Sequence, residues 1–279
     1  MRSPKETALD SKILEKVNEL TAPGMAGKAA PSLAAQTAQL LLGDAEIQAL
    51  QEYGNTVSIK RLSYNDHGPV HMRTVALNSL VMMGLLREAG IPTSLEKEES
   101  GSFEDSLAAV ILASMLHDIG MSVGRQDHEL HSAYLAYPIL DRILARVCAG
   151  DISKRVIIRS LAIEGISGHM GGRAIYSLEA GVILVADGCD MQKGRARIPM
   201  VLAGQPKVGD IHKYSANSIE DVRIDRGQEK PIRIEVAMSS EVGLFQVEEV
   251  LLGKIAASTA KGYIELYAQV NSGEKKRYL

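Results

Sequence analysis

A mainly α-helical fold with a small α+β appendage at its C-terminal end is what this sequence predicts, on three observations. Hydrophobic residues make up 46% of the 279 positions, yet there is no Trp and only two Phe. The core must therefore be built from Leu, Ile, Val, Ala and Met, a palette that suits packed helices. Residues 8–204 read almost without interruption as helical stretches with start and stop signals. Beyond Gly204 the apolar period changes from 3.6 to 2, the mark of half-buried strands. The expected division is a helical domain over 1–204, with its chemistry within about 60–200, and a small α+β domain over 205–279.

The elements follow in order. Leu9 to Leu20 and Ser32 to Leu42 read as helices separated by the Gly/Pro/Ala-rich linker "TAPGMAGKAAP". Asp44 stands as the N-cap of "DAEIQALQEY". Pro69 suits the first turn of a helix through "VHMRTVALNSLVMMGLLREAG" that stops at Gly90. The charged, aperiodic "IPTSLEKEESGSFED" is expected to be a solvated loop. "SLAAVILASMLHDIG" is apolar nearly all round and should be a buried central helix. Two amphipathic helices follow in "SAYLAYPILDRILARVCAG" and "DISKRVIIRSLAIEGIS", then "GHMGG" and the helix "IYSLEAGVILVADGCDMQ". In the last quarter, "PIRIEVAM" and "YIELYAQV" are strands, "EDVRID" is a weaker third, and the run "VGLFQVEEVLLGKIAAST" between the strong pair is helical. The tail "SGEKKRYL" reads as a solvated end.

Composition excludes several classes of function. A net charge of −3 offers no electrostatic ground for bulk nucleic-acid binding. Two Cys, Cys148 and Cys189, do not make a disulfide framework. The N-terminal segment carries charges where a secretory signal would be apolar. The most apolar stretches fall short of the ~20 residues a membrane span needs. A cytoplasmic protein without membrane contact is expected.

Chemistry concentrates in the histidines. Seven His occur in the chain, and five of them lie between His67 and His131. His67 and His71 are one helical turn apart. His117–Asp118 ends the most apolar helix, where a charged pair is costly unless it is paired or bound to metal. His128 and His131 are three residues apart and share a helix face. His169 sits among glycines, which permit close backbone approach. Asp187 interrupts an apolar stripe, and Asp190, three residues on, is placed to hold a ligand from behind. Cys189 points about 200° away from Asp187 and reads as core. Singly, each residue has an ordinary structural role; jointly they describe a metal site.

In the order His, His-Asp, His, His, Asp the chain resembles the HD superfamily of metal-dependent phosphohydrolases over about residues 60–200. It is most similar to the two-metal members, the HD-GYP cyclic-dinucleotide phosphodiesterases and the symmetrical diadenosine tetraphosphate hydrolases. The resemblance implies that the helical part is an HD-domain bundle. It implies that His71, His117, Asp118 and Asp187 hold one metal, that His131 and His169 hold a second, and that Asp118 bridges them. Asp118, His131 and His169 would then be the catalytic group, with His67 and His128 in reserve or behind the ligands. Met121 stands where many HD-GYP proteins carry Lys after "HDIG", and no GYP triplet follows, so cyclic-dinucleotide specificity is not carried over.

Such a donor set favours two divalent ions of Fe, Mn, Co or Zn. The expected reaction is attack of a metal-activated water on a phosphomonoester or phosphodiester of a small, nucleotide-like substrate. Arg125, Lys193, Arg195 and Arg197 are the candidate substrate-binding cations, since guanidinium forks match phosphate oxygens; Arg73 and Arg173 also lie near proposed ligands in sequence. Two other readings share the pattern: a di-iron oxygenase of the same fold, and a metal-stabilised binding protein without catalysis. The C-terminal segment is expected to form either a homo-oligomer contact or a wall of the site. His212 reads as a surface residue.

Overall fold

A computed structural model describes residues 2–22, 31–191 and 211–279, with the side chains of 211–213 excepted. The boundary expected at 204/205 lies outside these residues, as do Lys193, Arg195 and Arg197.

Local signals set most helix starts. Helix α1 (Pro4–Thr21) opens with a capping box in which Ser3 accepts from Glu6 N and the Glu6 side chain returns to Ser3. Ser32 caps α2 (Leu33–Gly43), and Asp44 caps α3 (Ala45–Thr56) by accepting from the backbone N–H groups of Glu46 and Ile47. A π-helical turn, Val57–Arg61, extends α3. Pro69 occupies the first turn of α4 (Pro69–Glu88). The stretch expected to be a solvated loop contains a short helix, α5 (Ser94–Lys97), built on a capping box between Thr93 and Glu96 and seated by the buried Leu95. The signature was present in "TSLE" and outweighed the charge of its surroundings.

Helix α6 (Phe103–Leu116) is the buried centre of the molecule, with every residue from Asp105 to Leu116 inside. Helices α2 and α4, together with α8 (Ile152–Gly168) and α9 (Leu178–Cys189), pack against it. Helix α7 (His128–Val147) lies against α8. Cys189 is buried and belongs to the apolar core.

After α10 (Ile211–Ser218) come four strands: β1 (Ile219–Arg226), β2 (Ile232–Met238), β3 (Ile264–Val270) and β4 (Lys276–Arg277). Their order in the sheet is β1-β2-β3-β4. The first two form an antiparallel hairpin, whereas β2 and β3 run parallel with Ile234 opposite Leu266. Parallel neighbours require a crossover. It is made by a π-helical segment, Gln246–Leu251, continuing into α11 (Leu252–Ala257). Ile232, Ile234, Val236 and Met238 all face inward, as their alternation predicts. The tail expected to be a solvated end is exposed over residues 272–277 and also adds β4 antiparallel to β3.

The fold is thus a helical core carrying a small C-terminal α+β element. The apolar face of the sheet belongs to the same continuous core as Leu80, Met83 and Leu107 of the helices. Each such aliphatic side chain contributes about 1.5–3 kcal/mol on burial, so the sheet is anchored to the helices by packing. Among the described residues no helix is long and apolar enough to cross a membrane.

Candidate metal centre

Five helices and one turn deliver side chains to one buried point. His71 comes from the first turn of α4, and His117 caps the C-terminal end of α6. Asp118 follows it in a turn, His128 opens α7, His169 caps the end of α8, and Asp187 lies in the last turn of α9. The four imidazoles and Asp118 are each at most 2% exposed.

The turn after Asp118 explains how α7 comes so close. A Cβ at Gly120 would stand 2.1 Å from the His128 carbonyl oxygen and 2.5 Å from Ser132 N. Only glycine permits that approach, and Gly120 N donates to Ser132 Oγ at 2.8 Å to fasten it. Immediately before His128, Asp127 adopts a left-handed backbone (φ 52°). This conformation is uncommon outside glycine, and it starts the helix abruptly with His128 aimed inward.

Every imidazole is oriented through Nδ1. Three point Nδ1 at the backbone carbonyl three residues earlier: His117 to Ser114 O at 2.9 Å, His128 to Arg125 O at 3.0 Å and His169 to Ile166 O at 2.7 Å. His71 Nδ1 lies 2.6 Å from Asp190 Oδ2. Acceptors opposite all four Nδ1 atoms place a proton there and turn each Nε2 toward the centre, where its lone pair would serve a bound cation. Burial also pushes the His169 pKa down, against the pull of Asp118, which favours its neutral form.

These Nε2 atoms converge in two pairs, His71 with His117 and His128 with His169, each at 3.1 Å. Lone pairs so placed repel unless a cation draws them together. Asp118 lies between the pairs. Its Oδ2 is 3.2 Å from His71 Nε2 and 3.5 Å from His117 Nε2, and its Oδ1 is 3.1 Å from His128 Nε2 and 3.3 Å from His169 Nε2. Asp187 Oδ1 completes the first group, 3.2 Å from His71 Nε2. Donor atoms bonded at 2.0–2.2 Å to one ion lie about 2.8–3.6 Å apart, so the spacing fits metal ligation. Three overlapping sets qualify: His71, His117 and Asp118; His117, His169 and Asp187; and Asp118, His128 and His169. These buried groups could hold a metal ion.

Both carboxylates are held ionised. Burial works to raise Asp118, yet His117, His67 and the bond to His128 bring its pKa well below the carboxylate range. For Asp187, burial is again outweighed, here by Lys254 and the imidazoles of His71 and His117.

The structure brings His71, His117, Asp118, His169 and Asp187 together. It corrects one member of the set. His131 belongs to none of the three groups, and His128 stands where His131 was expected. Helix α7 begins at His128, so His131 lies about 4.5 Å farther along the axis and is left half-buried at the side. His67 sits behind His71, with ring centroids 5.8 Å apart, and its Nδ1 is near Ser58 Oγ and Asn65 O.

Of the basic side chains, half-buried Arg125 is at the edge of the centre, its Nη1 3.3 Å from His128 Nε2. Arg73 is turned away into the core, where it binds Asp10, Gln51 and Gln48. Exposed Arg173 approaches Glu129 at 4.0 Å. A residue that sequence reading missed is Lys254 of α11, whose Nζ pairs with Asp187 Oδ2 and donates to the His169 carbonyl at 2.9 Å. Its stretch, "LLGKIAAS", carries no local signal of such a role.

No family model matches the chain, and no solved structure matches it. The uncharacterized protein MJ1020 of Methanocaldococcus jannaschii is 44% identical to it over 230 residues, which are 82% of this chain and 86% of that protein. Identity at that level over most of both chains makes them relatives: the chain belongs to the same family as MJ1020.

Proposed function

We propose that the protein is a metal-dependent phosphohydrolase of the HD superfamily, cleaving a phosphomonoester or phosphodiester of a nucleotide-like substrate. The observation that carries this reading is Asp118, which turns one oxygen to the His71–His117 pair and the other to the His128–His169 pair. A carboxylate so shared is suited to two ions, and the imidazole-rich donor set suits Fe, Mn, Co or Zn. Bound there, such ions supply an acidified water and positive charge for the phosphoryl oxygens.

The chain's own groups divide the remaining work. His71, His117, Asp118 and Asp187 would hold one ion, and His128, His169 and Asp118 the other. The Nδ1 bonds fix all four rings before any ligand arrives, which limits reorganisation. Arg125 at the rim offers a guanidinium to a phosphoryl oxygen. Lys193, Arg195 and Arg197, which follow Asp190 closely in sequence, are the candidates for further phosphate contacts. Two free, buried thiols, Cys148 and Cys189, agree with a reducing cytoplasm.

The test is metal analysis of the purified chain followed by a substrate panel of aryl phosphates, mononucleotides and dinucleotides. Two ions per chain and metal-dependent release of phosphate or nucleotide, abolished in Asp118→Ala, are expected. A fully loaded protein that hydrolyses nothing on the panel overturns the proposal. Turnover that requires oxygen would transfer the site to di-iron oxidation.

A further inference from the structure

Among the described residues, the C-terminal element reaches the centre through the Lys254 side chain. Lys254 crosses from α11 to α9, and its ammonium binds two atoms at once: the outer oxygen of Asp187 and the carbonyl of His169. Those residues end two different helices, α9 and α8, so a single cation ties together the backbone of one ligand and the carboxylate of another. It also divides the Asp187 carboxylate. Oδ2 is taken by the ammonium, while Oδ1 faces His71 and His117.

The surrounding chain is arranged to deliver this contact. Gly188, next to Asp187, lacks a Cβ where the Lys254 stem passes; one there would meet Lys254 Cδ at 3.0 Å and Leu251 Cδ1 at 3.2 Å. Beyond Lys254, Ser258 Oγ donates to Gly181 O at 2.9 Å and Thr259 Oγ1 to Ser177 O at 2.7 Å. The segment after Lys254 is therefore fastened along α9 by bonds independent of the ammonium. The Lys254 side chain is 14% exposed, so water competes little for it.

We propose that Lys254 is a positioning residue of the metal centre, restricting Asp187 to ligation through Oδ1 and making the C-terminal α+β element part of the site. This rests on the metal reading above. A ligand's partner of this kind is worth about 10–100-fold in metal affinity. Without the ammonium, Asp187 Oδ2 is free to join Oδ1 on the same ion, and the coordination number rises.

The experiment uses the full chain stripped of metal and reloaded with cobalt(II), whose visible absorption reports coordination number. Wild type, Lys254→Met, Lys254→Gln, Lys254→Arg and the double variant Ser258→Ala/Thr259→Ala are compared. Expected are a roughly 10–100-fold loss of cobalt affinity and a weaker, shifted band in Lys254→Met and Lys254→Gln, with partial recovery in Lys254→Arg. The double variant should melt earlier yet keep the wild-type band. Lys254→Gln can still donate to the His169 carbonyl and serves if Lys254→Met does not fold. A wild-type protein that binds no cobalt ends the metal reading and this inference with it. A wild type that binds, beside folded Lys254 variants of unchanged affinity and spectrum, overturns the inference alone.

Discussion

Asp190 Oδ2 lies 2.6 Å from His71 Nδ1, and the Nε2 of the same ring faces His117, Asp118 and Asp187. The carboxylate thus fixes both the tautomer and the direction of a ring that meets three other donors. Asp190→Ala should lower metal affinity by about 10–100-fold while the fold persists. Competition with a chromophoric chelator measures this, and an unchanged dissociation constant would remove Asp190 from the centre.

His128 and His131 separate the observed centre from the expected one. His128→Ala removes a donor 3.1 Å from both His169 Nε2 and Asp118 Oδ1, and should cost about one ion per chain. His131→Ala should leave the metal content as it was. Elemental analysis of the two variants decides between them; the opposite result would require α7 to begin one turn later than it does.

Much of the site was legible because each signal was local. His117–Asp118 is conspicuous at the end of an apolar helix, Asp187 interrupts an apolar stripe, and His169 stands among glycines. The choice between His128 and His131 was not local. It depends on where α7 starts, which is set by the left-handed Asp127 and by Gly120 packing on Ser132. Lys254 was illegible because its partner Asp187 lies 67 residues away, and one lysine in an amphipathic run reads as a solvated residue. The alternation at Ile232–Met238 exposed the sheet, whereas β4 is two residues without a pattern and follows from pairing with β3.

Arg73 shows the reverse case, a cation close to a ligand in sequence and remote from it in space. Two residues from His71 on α4, it points about 200° away and is 1% exposed. There its Nε binds Asp10 at 2.6 Å and its Nη1 binds Gln51 Oε1 and Pro69 O, both at 3.1 Å. Arg73→Met removes one of the two cationic partners of Asp10, Arg2 Nη1 remaining 2.8 Å from its other oxygen, and losing the charged bond costs about 1.5–3 kcal/mol. Urea denaturation should show that loss while the surviving folded protein keeps its full metal content. Lost metal at unchanged stability would instead return Arg73 to the site.

Asp44 ties the start of α3 to α7 and gives the fold an acid-sensitive point. It caps α3 and also binds Arg142 of α7. Burial favours its neutral form, but the bonds from Arg142, Ile47 and Glu46 outweigh burial and hold its pKa below the ordinary 3.8. The unfolded chain therefore binds this proton first as the pH falls. The stabilisation is complete above the ordinary value and disappears as the pH drops through the lower, folded one. Asp44→Asn keeps the cap and gives up the charge. Wild type should be the more stable near neutrality, and the difference should close below about pH 4. Chemical denaturation of both proteins across that range measures it; a gap that widened with acid would mean that the folded carboxyl is the weaker acid, and that Arg142 does not hold it.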